Sequence, residues 1–292
     1  MPNFIKRNGL ARRKRTHASQ KLIDFFTKEG RGYLSLIKTF HDSEGELIYV
    51  NFDEVHVPYD LSSDYSLHFA GEKDVDVITP GDNKAGTTLM PCNASSGECF
   101  PPLIIFPYSY AEKSNRKFPK KFERFMNLTS PYMIRFSSTG FNKEFILQEY
   151  IEKIILPWQL RKGKQIVLLV DQAGCHTSIA FKNFLDKQRL FYLFLPAGCT
   201  LIFQPLDVTI NRPLKAEIRK FYLSWLEKQV ARANVYKIAA PTEEIVLDWM
   251  YKSTQTMTST LILQSFQATG ILGTFRNTVQ RRRLKQKIKF FS

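Results

Sequence analysis

Short runs of apolar residues that end on an aspartate recur along the chain. Residues 47–52 and 165–170 are such runs, and Asp53 and Asp171 follow them directly. The second run is continuous, which is typical of a strand that is buried on both faces of a sheet, and the first is a strand candidate that contains Asn51. The pattern therefore predicts two strands, each with a carboxylate at its carboxyl end.

Further strands are predicted where apolar segments are bounded by turn-forming residues. These segments are 87–90, 103–106, 190–195 and, more weakly, 132–136. Residues 93–97 contain two serines and a glycine, and they predict a hairpin turn between the first two segments.

Helices are predicted in three places. Residues 141–158 and 210–226 carry apolar side chains at three- and four-residue spacing, and residues 178–188 are also predicted to be helical. Pro213 is tolerated only near the first turn of its helix, which puts Asp207 at or just before the helix entrance. Strands followed by a strand–helix–strand–helix unit predict a mixed α/β sheet between helices. In such sheets, functional side chains gather at the carboxyl ends of strands.

Aromatic residues are numerous, with 24 Phe, 12 Tyr and 3 Trp in 292 residues. Most of them fall within the apolar stripes of the predicted strands and helices. They are therefore predicted to form the core of the protein rather than to stack on nucleotide bases.

The composition narrows the class of protein. With 43% apolar and 24% charged residues, it excludes a wholly disordered, collagen-like or coiled-coil chain. The apolar runs are far shorter than a bilayer span requires, so no membrane partner is predicted. Cys92, Cys99, Cys175 and Cys199 form no zinc-type or CxxC pattern, and they are predicted to be reduced thiols of a nuclear or cytoplasmic protein.

Positive charge is concentrated at the two ends of the chain. The 42 Lys and Arg against 27 Asp and Glu give a net charge of +15. Residues 1–21 and 276–292 each hold seven basic residues and no acidic one, which leaves the middle of the chain nearly neutral. Cationic ends predict a polyanionic partner, of which nucleic acid is the commonest. The alternative is a pair of solvated tails that bind nothing in particular.

Asp53, Asp171 and Asp207 are the candidates for chemistry. Carboxylates brought together at strand ends repel one another unless a cation joins them, and Mg²⁺ and Mn²⁺ prefer such hard oxygen ligands. Two such ions about 4 Å apart can activate water and stabilise the leaving oxygen of a phosphodiester. Position alone also allows each aspartate to be a turn former or a helix cap.

The residues around these aspartates resemble the signature blocks of a transposase family. The blocks are 51–54, 171–178, 195–208 and 211–215. They are similar to the DDE superfamily endonuclease domain of pogo, Tigger and Jerky-type elements within the mariner group. The resemblance implies a ribonuclease H-like α/β fold, a mixed sheet flanked by helices. It also implies that Asp53, Asp171 and Asp207 hold two divalent ions, Mg²⁺ or Mn²⁺, for cut-and-paste DNA transposition.

The same resemblance predicts the domain organisation. It covers roughly residues 45–272, which are predicted to be the catalytic domain. Residues 3–18 resemble the last helix and exit segment of a centromere-protein-B-type helix-turn-helix. Residues 1–30 are therefore predicted to be a basic remnant of that DNA-binding domain with a linker, as in an N-terminally truncated transposase. Residues 273–292 are predicted to be a basic C-terminal tail.

Three residues are predicted to support the acidic site. His176 matches the family's histidine and would contact substrate phosphate or orient the site, with capping or packing as the alternative. Gln172 stands where the family usually has asparagine, and its extra methylene would displace a hydrogen bond to the neighbouring carboxylate. Asn211 lies one helical turn beyond Asp207 and would hold that acid or touch DNA. Glu54, next to Asp53, would also support the site, but strand alternation favours the alternative that it points to the other face.

Basic residues are predicted to contact DNA in three places. They are Arg12, Arg13, Lys14 and Arg15 near the N-terminus, Lys117, Lys120 and Lys121 in a loop, and Arg212, Lys215 and Arg219 after Asp207. Contacts to phosphate position a protein on DNA without reading its sequence. The alternative for the basic residues of the loop is that they are solvated and contact no DNA. DNA is thus the predicted partner, a homodimer is left open, and the nucleus is the predicted location.

The predicted function is a metal-dependent DNA endonuclease and strand-transfer domain. The alternative is a catalytically silent, transposon-derived nuclear protein that binds DNA, which Gln172 and the short N-terminal segment would favour. Cleavage of DNA in the presence of Mg²⁺ or Mn²⁺ separates the two functions.

Overall fold

The structure of the chain, a computed structural model, describes residues 23–44, 46–61, 86–107, 131–232, 238 and 240–272. Within them the strands are β1 Ile48–Phe52, β2 Val55–Pro58, β3 Gly86–Met90, β4 Cys92–Ala94, β5 Leu103–Pro107, β6 Met133–Ser137, β7 Ile166–Val170 and β8 Phe191–Phe194. The α-helices are α1 Ile23–Glu44, α2 Glu144–Tyr150, α3 Leu156–Lys162, α4 Gly174–Thr177, α5 Ile179–Lys187, α6 Thr200–Phe203, α7 Asn211–Arg232, α8 Glu243–Thr254 and α9 Ser259–Ala268. Two π-helical turns, Ile151–Ile155 and Leu206–Ile210, run directly into α3 and α7.

The first sheet brings the two predicted acid-bearing strands side by side. Its strand order is β4-β1-β7-β8, in which β1, β7 and β8 are parallel and β4 is antiparallel to β1. All five residues of β7 are apolar and buried, as expected of a strand that is covered on both faces. Since parallel strands end at the same edge, Asp53 after β1 and Asp171 after β7 leave the sheet together.

The second sheet continues from the first through the acidic residues. Its order is β2-β3-β5-β6, with antiparallel pairs up to β5 and a parallel β5–β6 pair. The chain passes from β1 to β2 through Asp53 and Glu54, and the Asp53 N–H donates to the Pro91 oxygen at 3.4 Å. The acidic pair therefore sits at the junction of the two sheets.

Helices cover the sheets in layers. On one face of the first sheet, Val50 and Leu168 belong to a core shared with α2, α3 and α5. On the other face, Tyr49 and Leu169 pack in a core with α1, α6 and α9. The second sheet packs against α7 and α8. The predicted mixed α/β sheet flanked by helices is confirmed.

The predicted hairpin turn starts later than the sequence indicates. Asn93 and Ala94 belong to β4, and the turn is closed by a hydrogen bond from the Gly97 N–H to the Ala94 oxygen at 2.9 Å. Gly97 has φ +95°, a left-handed conformation that glycine adopts without steric cost. The pairing of Asn93 with Asn51 thus extends the strand into the first two residues of the segment that was predicted to be a turn.

The helix predicted over residues 141–158 is wrong at its start. It begins at Glu144 and continues through the π-helical turn and α3 to Lys162. Phe141 and Phe145, which the spacing places in the core, are 54% and 59% exposed. Phe141 precedes the helix, and Phe145 lies outside the buried face formed by its neighbours Ile146 and Leu147. The prediction that aromatic residues form the core fails for these two.

Several predictions lie outside the described residues. They concern Arg12, Arg13, Lys14, Arg15, Lys117, Lys120 and Lys121, residues 1–22 of the N-terminal segment, and the tail 273–292. In the part of the chain that is described, no helix combines the length and apolar character needed to cross a membrane. Cys92, Cys99 and Cys199 are free thiols, as predicted.

A three-membered ion cluster joins β6 to α2. Arg135 donates through two nitrogens to both carboxylate oxygens of Glu149 at 2.6 Å, and Lys153 donates to the same carboxylate at 2.6 Å. Partial burial favours a higher pKa for Glu149, but the hydrogen bonds and charges of Arg135 and Lys153 outweigh it and lower the pKa to about 2. The carboxylate is therefore ionised at neutral pH.

We expect Glu149→Gln to lower the free energy of unfolding by about 1 kcal/mol at neutral pH, a modest loss because solvent screens this partly exposed cluster. A carboxyl whose pKa is lowered on folding contributes stability above its unfolded pKa of about 4.3, and this is lost as the pH falls through about 2. Urea unfolding of both proteins should therefore show the difference at pH 7 and a smaller one at about pH 3. Glu152→Gln, at an exposed neighbouring position, is the control and should change little at either pH. A difference that grows on acidification would contradict the prediction.

Candidate active site

One amide joins two of the three aspartates. The Asn211 side-chain nitrogen donates to Asp207 Oδ1 at 3.0 Å and to Asp53 Oδ2 at 2.5 Å. Asp53 follows β1, whereas Asp207 and Asn211 belong to the segment that opens α7. The predicted contact between Asn211 and Asp207 is present, and the same amide reaches the acid on the sheet.

A π-helical turn places Asp207 in this arrangement. The sequence predicts Asp207 at or just before the helix entrance, and the structure places it inside the turn Leu206–Ile210, which is continuous with α7. Asn211 follows immediately, and its N–H donates to the Leu206 oxygen. Turns of this kind are rare and are found frequently at functional sites.

The third aspartate is held by histidine. His176 Nδ1 donates to Asp171 Oδ1 at 2.5 Å, and the Ala173 N–H donates to the same oxygen at 3.2 Å. The His176 ring is buried and meets Phe52 edge-on at 5.6 Å. The ring therefore packs against the core and also orients a carboxylate, while its contact with substrate phosphate stays a prediction.

The pKa values of Asp53 and Asp171 are shifted in opposite directions. Burial, followed by the charge of Asp207, raises the pKa of Asp53 to about 7, against the opposing hydrogen bond from Asn211. Burial also acts to raise the pKa of Asp171, but the hydrogen bond and charge of His176 outweigh it and lower the pKa. A cation beside Asp53 would relieve the repulsion between two buried carboxylates.

Glu54 lies at the site, and the prediction that it points to the other face is wrong. Its Oε1 is 3.9 Å from His176 Nε2, and the charge of Asp171 reaches it. The alternation of side chains fails because β1 ends at Phe52 and residues 53–54 belong to no strand. Burial raises the pKa of Glu54, against the opposing effects of Asn142 and of the charge of His176.

Asn51 connects all three acid-bearing segments, a role that the sequence prediction missed. This fully buried residue of β1 donates from its amide nitrogen to the Leu169 oxygen of β7 at 3.0 Å. Its amide oxygen accepts from the Leu206 N–H at 3.3 Å, at the start of the π-helical turn. A polar side chain within an otherwise apolar run was the available signal, because buried amides are nearly always paired.

We expect Asn51→Ala to lower the free energy of unfolding by about 3 kcal/mol, because it leaves a buried N–H and a buried carbonyl without their partner. Asn93, opposite Asn51 in the register of β1 and β4, is the matched control. It is equally buried, and its side chain makes no hydrogen bond within the described residues. Asn93→Ala should therefore cost clearly less in urea unfolding. Equal losses in the two variants would show that Asn51 acts by packing and not by its hydrogen bonds.

The side-chain amide of Gln172 contacts the main chain of the next loop. Its side-chain nitrogen donates to the Leu195 main-chain oxygen at 3.0 Å, which ties the end of β7 to the end of β8. The longer side chain thus serves the backbone of the next loop. The carboxylate of Asp171 beside it takes its hydrogen bonds from His176 and Ala173.

The predicted basic face of α7 begins next to the acids. Arg212, Lys215 and Arg219 are all exposed and follow Asn211 at helical spacing, so they share one side of the helix. The charge of Lys215 reaches His56 on β2, whose pKa is lowered by partial burial and by that charge. A cationic strip therefore starts within one turn of the carboxylates.

The chemistry of the donors suits a hard divalent cation. Asp53 lies close enough to Asp207 and Asp171 for the charges of both to raise its pKa, and Mg²⁺ and Mn²⁺ prefer carboxylate ligands. The carboxylates now accept hydrogen bonds from Asn211 and His176. Among the described residues, no three His, Cys, Asp or Glu side chains are grouped closely enough to hold an ion as they stand.

Comparison with known families identifies the class. A sequence-family profile described as DDE superfamily endonuclease matches residues 83–266. The chain therefore belongs to the DDE superfamily endonucleases. Asp171 and Asp207 lie within the matched segment, and Asp53 lies before it.

The sequence is similar to transposon-derived proteins of mammals. The proteins named Pogo transposable element with KRAB domain from Mus musculus and Homo sapiens are each 26% identical to it over 256 residues. The aligned segment covers 86% of this chain and 39% of each relative. The chain thus spans about two fifths of the length of these relatives.

Solved transposase structures share the fold. The Mos1 mariner paired end complex with Mn matches with a TM-score of 0.56 at 12% identity, covering 99% of this chain and 69% of that chain. The Mos1 strand transfer complex matches with a TM-score of 0.54 at 12% identity, covering 99% and 68%. The predicted ribonuclease H-like fold is therefore confirmed.

Proposed function

We propose that this chain is the catalytic domain of a cut-and-paste DNA transposase or of a protein derived from one. It would act as a metal-dependent endonuclease and strand-transfer domain on DNA phosphodiesters. The observation that carries the proposal is that Asp53 lies within reach of the charges of both Asp207 and Asp171, which come from two other segments, and shares the Asn211 amide with Asp207. Family membership and the pogo-type relatives support it.

Asp53, Asp171 and Asp207 would hold two divalent ions, Mg²⁺ or Mn²⁺. Such ions supply Lewis-acid stabilisation of phosphodiester oxygens and lower the pKa of bound water. The chain's own residues hold the acids ready, because Asn211 fixes Asp53 and Asp207 while His176 fixes Asp171. Residues that orient ligands in this way typically affect metal affinity or activity by about 10- to 100-fold.

DNA would lie along the basic face of α7. Arg212, Lys215 and Arg219 are placed to bind backbone phosphates next to Asp53, Asp171 and Asp207, the three acids that we call the acidic edge. Such contacts make the affinity for DNA depend on salt. The basic residues of the N-terminal segment and of the loop at 117–121 stay predicted DNA contacts. A homodimer and the nucleus stay predictions for assembly and location.

Relaxation of supercoiled plasmid tests the proposal. We expect the purified chain to convert supercoiled DNA to the nicked form with Mg²⁺ or Mn²⁺ and to stop when EDTA is added. Salt-sensitive DNA binding with no nicking under either metal would overturn the proposal and support the catalytically silent alternative.

A further inference from the structure

Three large apolar side chains are exposed beside the acidic edge. Phe141, Phe145 and Ile179 are 54%, 59% and 79% exposed. They belong to one neighbourhood, because Ser178 donates to Glu144 at 2.5 Å and thereby joins the start of α5 to the start of α2. An exposed apolar cluster on a protein surface marks a binding site more often than a lone side chain does.

The backbone holds Phe141 in its exposed position. The Ser137 hydroxyl donates to the Phe141 oxygen at 2.7 Å, and the Phe141 N–H donates to the Thr139 hydroxyl at 3.4 Å. Gly140 turns the chain with φ +73°, and a Cβ there would lie 3.3 Å from Pro107. The backbone of Phe141 is therefore held by a packed turn while its ring is left open to a ligand, so little backbone entropy is lost when a ligand covers it.

The same turn leads directly to the acids. Asn142, the residue after Phe141, is buried, and its amide acts to lower the pKa of Glu54, which follows Asp53. The Phe141 ring also lies 6.0 Å from the His56 ring at an angle of 31°. His56 is exposed and within reach of the charge of Lys215 on the basic face of α7. Flat rings and a phosphate-binding cation thus border the carboxylates.

We propose that Phe141, together with His56 and Phe145, stacks on unpaired bases of the DNA strand whose backbone lies at the acidic edge. This base-stacking platform rests on the proposed function, since it needs DNA at that edge. Aromatic rings bind any base through its π-face, as in proteins that bind single-stranded DNA. Three exposed side chains are too few for a stable protein interface, which buries about 800 Å² on each partner.

Paired oligonucleotides isolate the stacking interaction. One duplex carries a single-stranded flank of normal nucleotides, and the other carries the same flank with abasic sites, which keep the phosphate charge and remove the bases. Anisotropy titrations of the full chain in EDTA make the readout independent of cleavage. We expect the wild-type chain to bind the normal flank about tenfold more tightly than the abasic one.

Substitutions then assign the preference to the platform. Phe141→Ala should bind both flanks equally, and Phe141→Leu should do the same because it keeps apolar area without a π-face. Phe141→Trp should retain the preference. Leu160→Ala is the matched control, because Leu160 is an 82% exposed apolar residue on α3, outside the platform.

The following results would contradict the proposed base-stacking platform. A wild-type chain that binds both flanks equally, or a preference that survives in both Phe141→Ala and Phe145→Ala, leaves the endonuclease proposal standing and removes this one. Loss of a dimer in Phe141→Ala by sedimentation would assign the rings to a contact between copies. Failure of the wild-type chain to bind either DNA would overturn the platform and the proposed function together.

Discussion

Asp171→Asn should abolish metal-dependent nicking of plasmid DNA, with a loss of more than about 100-fold, the upper range for residues that only orient a metal ligand. The substitution removes a charge from the proposed metal site. The amide oxygen of the new side chain can still accept from His176 Nδ1, which now donates to the carboxylate at 2.5 Å, so the loss of nicking reports the missing charge. Initial rates of conversion from supercoiled to nicked plasmid measure the loss.

Asp248→Asn is the control for this experiment. Asp248 is an exposed residue of α8 whose partner is Lys252, four positions away, at 2.6 Å. Its substitution removes the same charge from the protein and should leave nicking unchanged. Wild-type nicking by Asp171→Asn would show that the acid on β7 takes no part in the reaction.

Asp53→Asn should stabilise the protein in EDTA at about pH 8, by about 1 to 3 kcal/mol in the free energy of unfolding. Burial and the charge of Asp207 raise the pKa of Asp53 to about 7, and a tenfold change in proton affinity corresponds to about 1.4 kcal/mol. A carboxyl whose pKa is raised on folding favours the folded state below its unfolded pKa of about 3.9, and this contribution is lost as the pH rises through about 7. The neutral amide carries no such cost, and it can still accept from Asn211.

Divalent metal should make the wild-type chain more stable than Asp53→Asn. Millimolar Mn²⁺ should raise the midpoint of thermal unfolding of the wild-type chain, because a ligand that binds only the folded state stabilises it by mass action. Asp53→Asn should show little response. Thermal unfolding at about pH 5 and pH 8, with EDTA or Mn²⁺, covers both effects. A variant that is less stable than the wild type in EDTA at pH 8 would contradict the electrostatic assignment.

The first sheet could be predicted because strands that are buried on both faces are apolar at nearly every position. The apolar runs before Asp53 and Asp171 correspond to β1 and β7, and the parallel pairing of these strands brings their carboxyl ends together. Periodicity also locates α7, in which Leu214 and Ile218 face the second sheet. These features depend on residues that are close together in the chain, so a single sequence is enough to predict them.

The supporting contacts could not be predicted because they join distant segments. Asn51 and Leu206 are 155 positions apart, and no local pattern reports their hydrogen bond. Alternation misplaces Glu54 because it applies only while a strand continues, and β1 has already ended there. Helical spacing assigns Phe141 and Phe145 to the core because it defines a face without showing what covers it.

The π-helical turn at Leu206–Ile210 sets the spacing between Asp207 and Asn211. A turn of this kind holds one residue more than α-helical winding would, and here the extra residue lies between Asp207 and Asn211. Deleting one residue at Val208 or Thr209 would restore α-helical winding and leave the acid and the amide three positions apart, a spacing that still keeps two side chains on one face of a helix. A gene copy that lost this codon would therefore keep Asp207 facing Asn211, with a shift of only about 1.5 Å along the helix axis.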